Sequence, residues 1–220
     1  MDEAQLREEL CRVGRSLFAR GYVHGTTGNL SARLSDGGVL ITATDACLGE
    51  LAAALLVKVD PEGTVRGGRP SKTIALHRRI YAAAPDARCV IHTHSRHCVG
   101  LSLEVPADED RDDLVPPITP YFVMKVGHVP LIAYHRPGDA AVADRVADAI
   151  AGAARRSAPI RAVMLSRLGP NVWHETPAAA MAVLEELEET ARLWREASPR
   201  PAPLTAAQID ELRSAFGARW

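Results

Sequence analysis

A single mixed α/β layer fold with a largely antiparallel central sheet is predicted, on three observations. Element order comes first: an amphipathic helix, then two hairpins, then helices and strands in alternation. Short apolar runs such as Arg88 to Thr93 and Ala162 to Leu165 read as buried strands. Composition is the third: 220 residues, 47% hydrophobic and 24% charged, make a globular chain long enough to bury a full core.

Each element has a local reason. Residues 3–20 place Leu6, Leu10, Val13, Leu17 and Phe18 at helical spacing, and Gly21 ends that helix. Gly25-Thr26-Thr27-Gly28 is a loop feeding a strand from Asn29 to Leu34. Asp36-Gly37-Gly38 turns it into Val39 to Thr42. A second hairpin joins Leu56–Asp60 to Thr64–Arg66 through Pro61-Glu62-Gly63. Thr73 to Ala84 is helical, and Pro85-Asp86 stops it before the strand Arg88 to Thr93. Cys98 to Leu103 reads as a helix, Glu104 to Pro117 as an exposed acidic and proline-rich loop. Val129 to Ala133 is a strand, 138–154 a helix, Ala162 to Leu165 a buried strand. The longest helix runs from about Ala178 to Glu196, and its EELEE run (185–189) reads as a solvated face. Ser198 to Pro203 is a short rigid linker, and a last helix from Thr205 to Phe216 opens on Thr205 as N-cap.

Charge and composition exclude several function classes. A formal net charge of −1 gives no pull towards nucleic acid or an anionic membrane. No apolar run approaches the roughly 20 residues that span a bilayer. The acidic start, Met1-Asp2-Glu3-Ala4, lacks the basic-then-apolar layout of a signal peptide. Cys11, Cys47, Cys89 and Cys98 show neither metal-finger nor disulfide-scaffold spacing, so a reducing cytoplasm is the simplest home. The partner expected is a small-molecule substrate.

The chemistry concentrates in Cys89-Val90-Ile91-His92-Thr93-His94. Side chains alternate across a strand, so His92 and His94 share a face and can reach one divalent metal ion. Two histidines satisfied by hydrogen bonds near a strand end are the plain alternative. Gly25-Thr26-Thr27-Gly28-Asn29 can cradle an anion with backbone N–H groups, although an ordinary tight turn has the same composition. Ser71, at a proline-marked helix start, is a second anion donor. Tyr134-His135-Arg136-Pro137-Gly138-Asp139 reads as a loop leading into a helix.

In order and spacing these blocks resemble the class II aldolase/adducin family from end to end, its 3-oxo-tetronate 4-phosphate decarboxylase and fuculose-phosphate aldolase branches above all. The matching pieces are Gly25-Thr26-Thr27-Gly28-Asn29-Leu30-Ser31, Ile41-Thr42-Ala43-Thr44, Pro70-Ser71-Lys72 and Leu76-His77 with Tyr81. Pro85-Asp86, His92-Thr93-His94-Ser95, Thr119 to Gly127, Tyr134 to Asp139 and Glu185 to Glu189 follow. The resemblance implies one domain over 1–220, with 198–220 as C-terminal linker and helix. It implies a carbon–carbon lyase holding zinc or a similar cation on His92, His94 and a third histidine. It further implies a substrate phosphate held around Thr26, Gly28, Asn29, Thr44, Ser71 and Lys72, a glutamate acting as acid/base, and assembly as a homotetramer with sites between subunits.

This chain departs from that pattern where chemistry is expected. The glutamate falls at Thr73, whose hydroxyl is no general base near pH 7. The third histidine falls at Leu168, which has no lone pair, and a phosphate-loop glycine falls at Asp45. Like charges repel by roughly 4 kcal/mol at 4 Å in an intermediate dielectric, so Asp45 opposes a phosphate there. Asp45 can instead replace the missing acid/base, with Lys72 as its partner. The third ligand is open among His97, His128, His135, His174, an Asp45 carboxylate and water. Two functions follow: a divergent metal-dependent aldolase- or decarboxylase-like lyase for a small polyhydroxylated or oxo-acid substrate, or a non-catalytic binding or scaffold member of the same fold.

Overall fold

Helix α1 (Glu3–Ala19) starts at Asp2, whose carboxylate accepts the Gln5 N–H while the Gln5 side chain returns to the Asp2 N–H. Its apolar stripe, Leu6, Leu10, Val13 and Leu17, is buried, as the spacing requires. The computed structural model describes residues 1–220. Strands β1 (Asn29–Arg33), β2 (Val39–Ile41), β3 (Val57–Val59) and β4 (Val65–Arg66) form a meander joined by the expected hairpins. Helix α2 (Ile74–Ala83) leads into β5 (Cys89–His92), which pairs antiparallel with β1. Helices α3 (Arg96–Ser102) and α4 (Pro120–Lys125) precede β6 (Leu131–Ile132) and α5 (Ala141–Arg155). The chain ends with β7 (Ala162–Leu165), β8 (Gly169–His174), α6 (Pro177–Glu196) and α7 (Ala206–Phe216).

The eight strands lie in the order β4-β3-β2-β1-β5-β8-β7-β6, antiparallel throughout except for the β6–β7 pair. Alternation divides the core in two. Leu30, Ile91 and Val172, in register across β1, β5 and β8, join the side chains of α1 and α6. Val90, Trp173 and Val163 point the other way and pack against α2 and α5. Each fully buried Leu or Ile in these layers contributes about 1.5–3 kcal/mol. Cys11, Cys89 and Cys98 are free and buried, acting as small hydrophobes. No helix is long and apolar enough to cross a membrane.

Three expectations need correction. The loop from Glu104 to Pro117 is not simply exposed: Arg111 pairs with Leu131, the Leu114 N–H donates to Val129, and Val115 is buried, so the segment covers the β6 edge. Residues 185–189 are not all solvated, because Glu188 is only 4% exposed and its carboxylate accepts the N–H groups of His97 (2.8 Å) and Cys98 (3.0 Å) at the start of α3. Strand β5 stops at His92, so His94 lies in the turn beyond it.

Candidate active site

Three residues in a row across the sheet, Asn29 on β1, His92 on β5 and Asn171 on β8, are register partners. Their side chains leave the face that α2 covers. At the start of α2, the Thr73 hydroxyl donates to Asn29 Oδ1 (2.9 Å), and Ser71 Oγ lies 3.0 Å from Thr73 Oγ1. Deeper under the helix, Ser31 sits between His77 Nδ1 and the Tyr81 hydroxyl, each 2.7 Å away, so His77 is a packed and bonded core residue as its position suggests. The segments around Asn29, Thr44 and Ser71 are tied together: Thr44 Oγ1 donates to Pro70 O, and the Ser71 N–H to Thr42 O.

His92 and His94 converge. Their ring centroids are 5.1 Å apart at an interplanar angle of 67°. Two imidazoles sharing a tetrahedral ion with about 2.1 Å bonds have centroids about 5 Å apart, so the spacing of the pair matches that of two metal ligands. His92 Nδ1 is 3.0 Å from the Pro170 carbonyl, which can only accept; Nδ1 carries the hydrogen and Nε2 keeps its lone pair. Burial pushes His92 down to about 3, with His94 adding to it, and burial also lowers His94, helped by nearby His24. Both rings are therefore neutral near pH 7, the state a metal needs.

A third corner is missing. No group of three His, Cys, Asp or Glu side chains is placed to hold an ion. His174 pairs with Cys89 at the opposite end of β5, and His128 is bound to Asp113 (2.7 Å) and stacked on Trp220. The His97 backbone N–H donates to Glu188 and its ring Nδ1 is buried without a partner, but His97 is not among the residues that line the cavity beside His92. His135 lines the same cavity as His92, and its Nδ1 donates to Ala133 O (2.8 Å), which leaves its Nε2 with a lone pair as in His92.

That cavity, about 110 Å³, is lined by Lys72, Thr73, His92, His135, Arg136, Leu168 and Asn171 together with apolar groups of α2 and α5. Lys72 and Arg136 give it positive charge, offset in part by Asp139, whose carboxylate lies 3.8 Å from Arg136. Gly28 and Thr26 border the histidine turn: a Cβ on Gly28 (φ +81°) would come within 2.9 Å of His92 O, and Thr26 is exposed in the preceding loop. Asp45, at φ +63°, has a 74% exposed side chain and faces Arg69 (3.5 Å), not Lys72. Sequence reasoning passed over Asn171 and His24, took Arg136 as part of a loop and read Glu188 as solvated. Asn171 left a signal, an amide two residues from Trp173 in an otherwise apolar strand.

Residues 8–195 match the class II aldolase and adducin N-terminal domain. A 3-oxo-tetronate 4-phosphate decarboxylase of Cupriavidus necator is 52% identical over 224 residues, covering 99% of each chain. The crystal structure of YgbL from Klebsiella pneumoniae superposes with a TM-score of 0.84 at 43% identity, over 97% of this chain and 100% of that one. L-fuculose-1-phosphate aldolase from Thermus thermophilus gives 0.71 at 27% identity, over 90% and 99%.

Proposed function

Because the chain belongs to the class II aldolase and adducin family, we propose that it is a cation-assisted carbon–carbon lyase that decarboxylates a small phosphorylated 3-oxo acid, the substrate class named for its 52%-identical relative. The observation that carries this is the neutral His92–His94 pair, its tautomer fixed by Pro170, beside a cavity with two cationic side chains. A divalent cation, zinc in the first instance, supplies Lewis-acid stabilisation of the negative charge that develops on substrate oxygen. Lys72 and Arg136 neutralise the substrate's anionic groups. Thr26, Gly28, Asn29, Thr44 and Ser71 orient it, and Asp45, exposed, facing Arg69 and outside the cavity lining, is the acid/base candidate by its sequence position.

Thr73 favours decarboxylation over aldol cleavage. A retro-aldol step must first remove a hydroxyl proton, which needs a base. A 3-oxo acid is already ionised: its bond to the carboxylate breaks, carbon dioxide leaves, and the electron pair moves towards the ketone. The proton that finally returns to carbon can come from water. Losing a glutamate at position 73 therefore harms a decarboxylase less than an aldolase. The proposal includes a cytoplasmic homotetramer, which light scattering on purified protein checks.

Carbon dioxide release from 3-oxo-tetronate 4-phosphate, with and without added Zn²⁺ or Mn²⁺, is the test. Cation-dependent release, abolished by His92→Ala with His94→Ala, is expected. Protein that releases none and whose thermal midpoint ignores both ions overturns the lyase and leaves the scaffold reading, which Thr73 and Leu168 favour.

A further inference from the structure

We propose that Asn171 supplies the third protein donor to the cation, in place of the imidazole that Leu168 cannot provide; this rests on the cation-assisted reading above. Asn171 is the direct register partner of His92. Their side chains thus leave the same face of the sheet, with Cβ atoms about 4.5–5.5 Å apart. Both line the cavity that also holds Thr73 and Leu168.

The Asn171 amide makes no hydrogen bond within the protein. The residue is 0% exposed, and neither its Nδ2 nor its Oδ1 has a hydrogen-bond partner. Its register partners are His92 and Val163, Trp173 follows it on the same face, and its polar surroundings are those of the cavity, Lys72 and Thr73. A fully buried carboxamide unpaired at both ends is destabilising unless something else meets it. A cation beside His92 meets its oxygen, and a substrate oxygen there meets its N–H₂ group.

His135 shares this cavity with a free Nε2 and is the rival donor, but it lies in the loop after β6, whereas Asn171 is the register partner of His92. Asn29 Oδ1 already accepts the Thr73 hydroxyl. His24 approaches His94, but at 6.4 Å between centroids it lies beyond the about 5 Å that two imidazoles on one tetrahedral ion require. Leu168 is apolar. Two imidazoles with one carbonyl oxygen form a harder donor set than three imidazoles, so the preference for Zn²⁺ over Mn²⁺ narrows.

Equilibrium dialysis of the untagged full chain against Mn²⁺ and Zn²⁺, followed by elemental analysis, tests the assignment. Wild type is expected to bind one ion per chain. Asn171→Val is expected to weaken Mn²⁺ binding tenfold or more, while its metal-free thermal midpoint stays level or rises because an unpaired buried amide has gone. Asn171→Asp is expected to tighten binding. Equal Mn²⁺ affinity in wild type and Asn171→Val overturns the assignment and leaves the lyase reading intact. If Asn171→Val does not fold, Asn171→Asp decides alone, with unchanged or weaker affinity overturning it. Wild type that binds neither ion overturns the cation reading itself.

Discussion

Replacing Gly169 by alanine should damage stability and cation binding together. Gly169 opens β8 at φ +144°, and a Cβ there would lie 1.9 Å from the Thr93 carbonyl oxygen, 3.0 Å from its carbon and 3.2 Å from His94 Cα. A comfortable carbon–oxygen approach is about 3.3 Å, so the Thr93–His94 backbone must retreat by roughly 1.4 Å. Backbone meets backbone, so no side-chain rotation relieves the overlap. The positive φ alone costs about 1–3 kcal/mol with a Cβ present. Loosening β5 from β8, where the Thr93 N–H donates to Pro170 O (3.3 Å), brings the total to about 3–5 kcal/mol. At about 2–4 °C per kcal/mol for a chain of this size, the melting midpoint falls by about 6–20 °C. A displacement near 1 Å at His94 also lowers turnover about a hundredfold. Thermal denaturation by circular dichroism and Mn²⁺ dialysis read both effects. A Gly169→Ala protein that melts within about 2 °C of wild type and binds the ion equally well would refute the claim that this close approach sets the histidine turn.

Glu188→Ala leaves the His97 and Cys98 N–H groups without their acceptor in a buried place, so urea denaturation should show a loss of about 2–5 kcal/mol; a loss under about 0.5 kcal/mol would mean the contact is idle. Leu168→His restores an imidazole at the missing corner and should tighten Zn²⁺ binding at least about tenfold by dialysis; no gain would place the ion elsewhere. Burial holds His77 and His92 at about 3 each, below the unfolded value near 6.5, so the unfolded chain takes up more protons as pH falls. Stability present at neutral pH is therefore lost between about 6.5 and about 3, by about 2 kcal/mol per group at pH 5. His77→Gln should flatten that slope in urea titrations, and an unchanged slope would remove His77 from the account. Asp45→Asn tests the rim carboxylate: turnover should fall about a hundredfold if it transfers a proton, and activity near wild type would strike it from the mechanism.

What the sequence reveals follows the range of the interactions involved. Strand β7 spans Ala162–Leu165 as its apolar run requires, and Thr205 caps α7 with Gln208 completing a capping box. These are local signals. Helix α4 escapes a pattern reading because six residues are too few to show a period, although Thr119 before Pro120 is a helix-start signature and Thr119 Oγ1 does accept the Phe122 N–H. Glu188 misleads because charge outweighs position in such a reading. It lies four residues after Leu184 and three before Ala191, on the inward stripe of α6, and its partner is the backbone of α3, some ninety residues away. The site divides similarly. His92 and His94 are legible as a pair, whereas the pairing of His92 with Asn171 depends on a strand register that no single sequence states.

The two walls of the cavity differ in how far they can vary. One is His92 and the turn behind it, pressed by Gly28 just before β1 and by Gly169 in β8 and braced at α3 by Glu188. The other runs from Arg136 to Ala140 and is mostly exposed, so every position but Gly138, held at φ +79°, is open to change. Diversification among descendants of this sequence, natural or selected in the laboratory, should gather on that second wall and alter which molecule is accepted, while the first stays invariant.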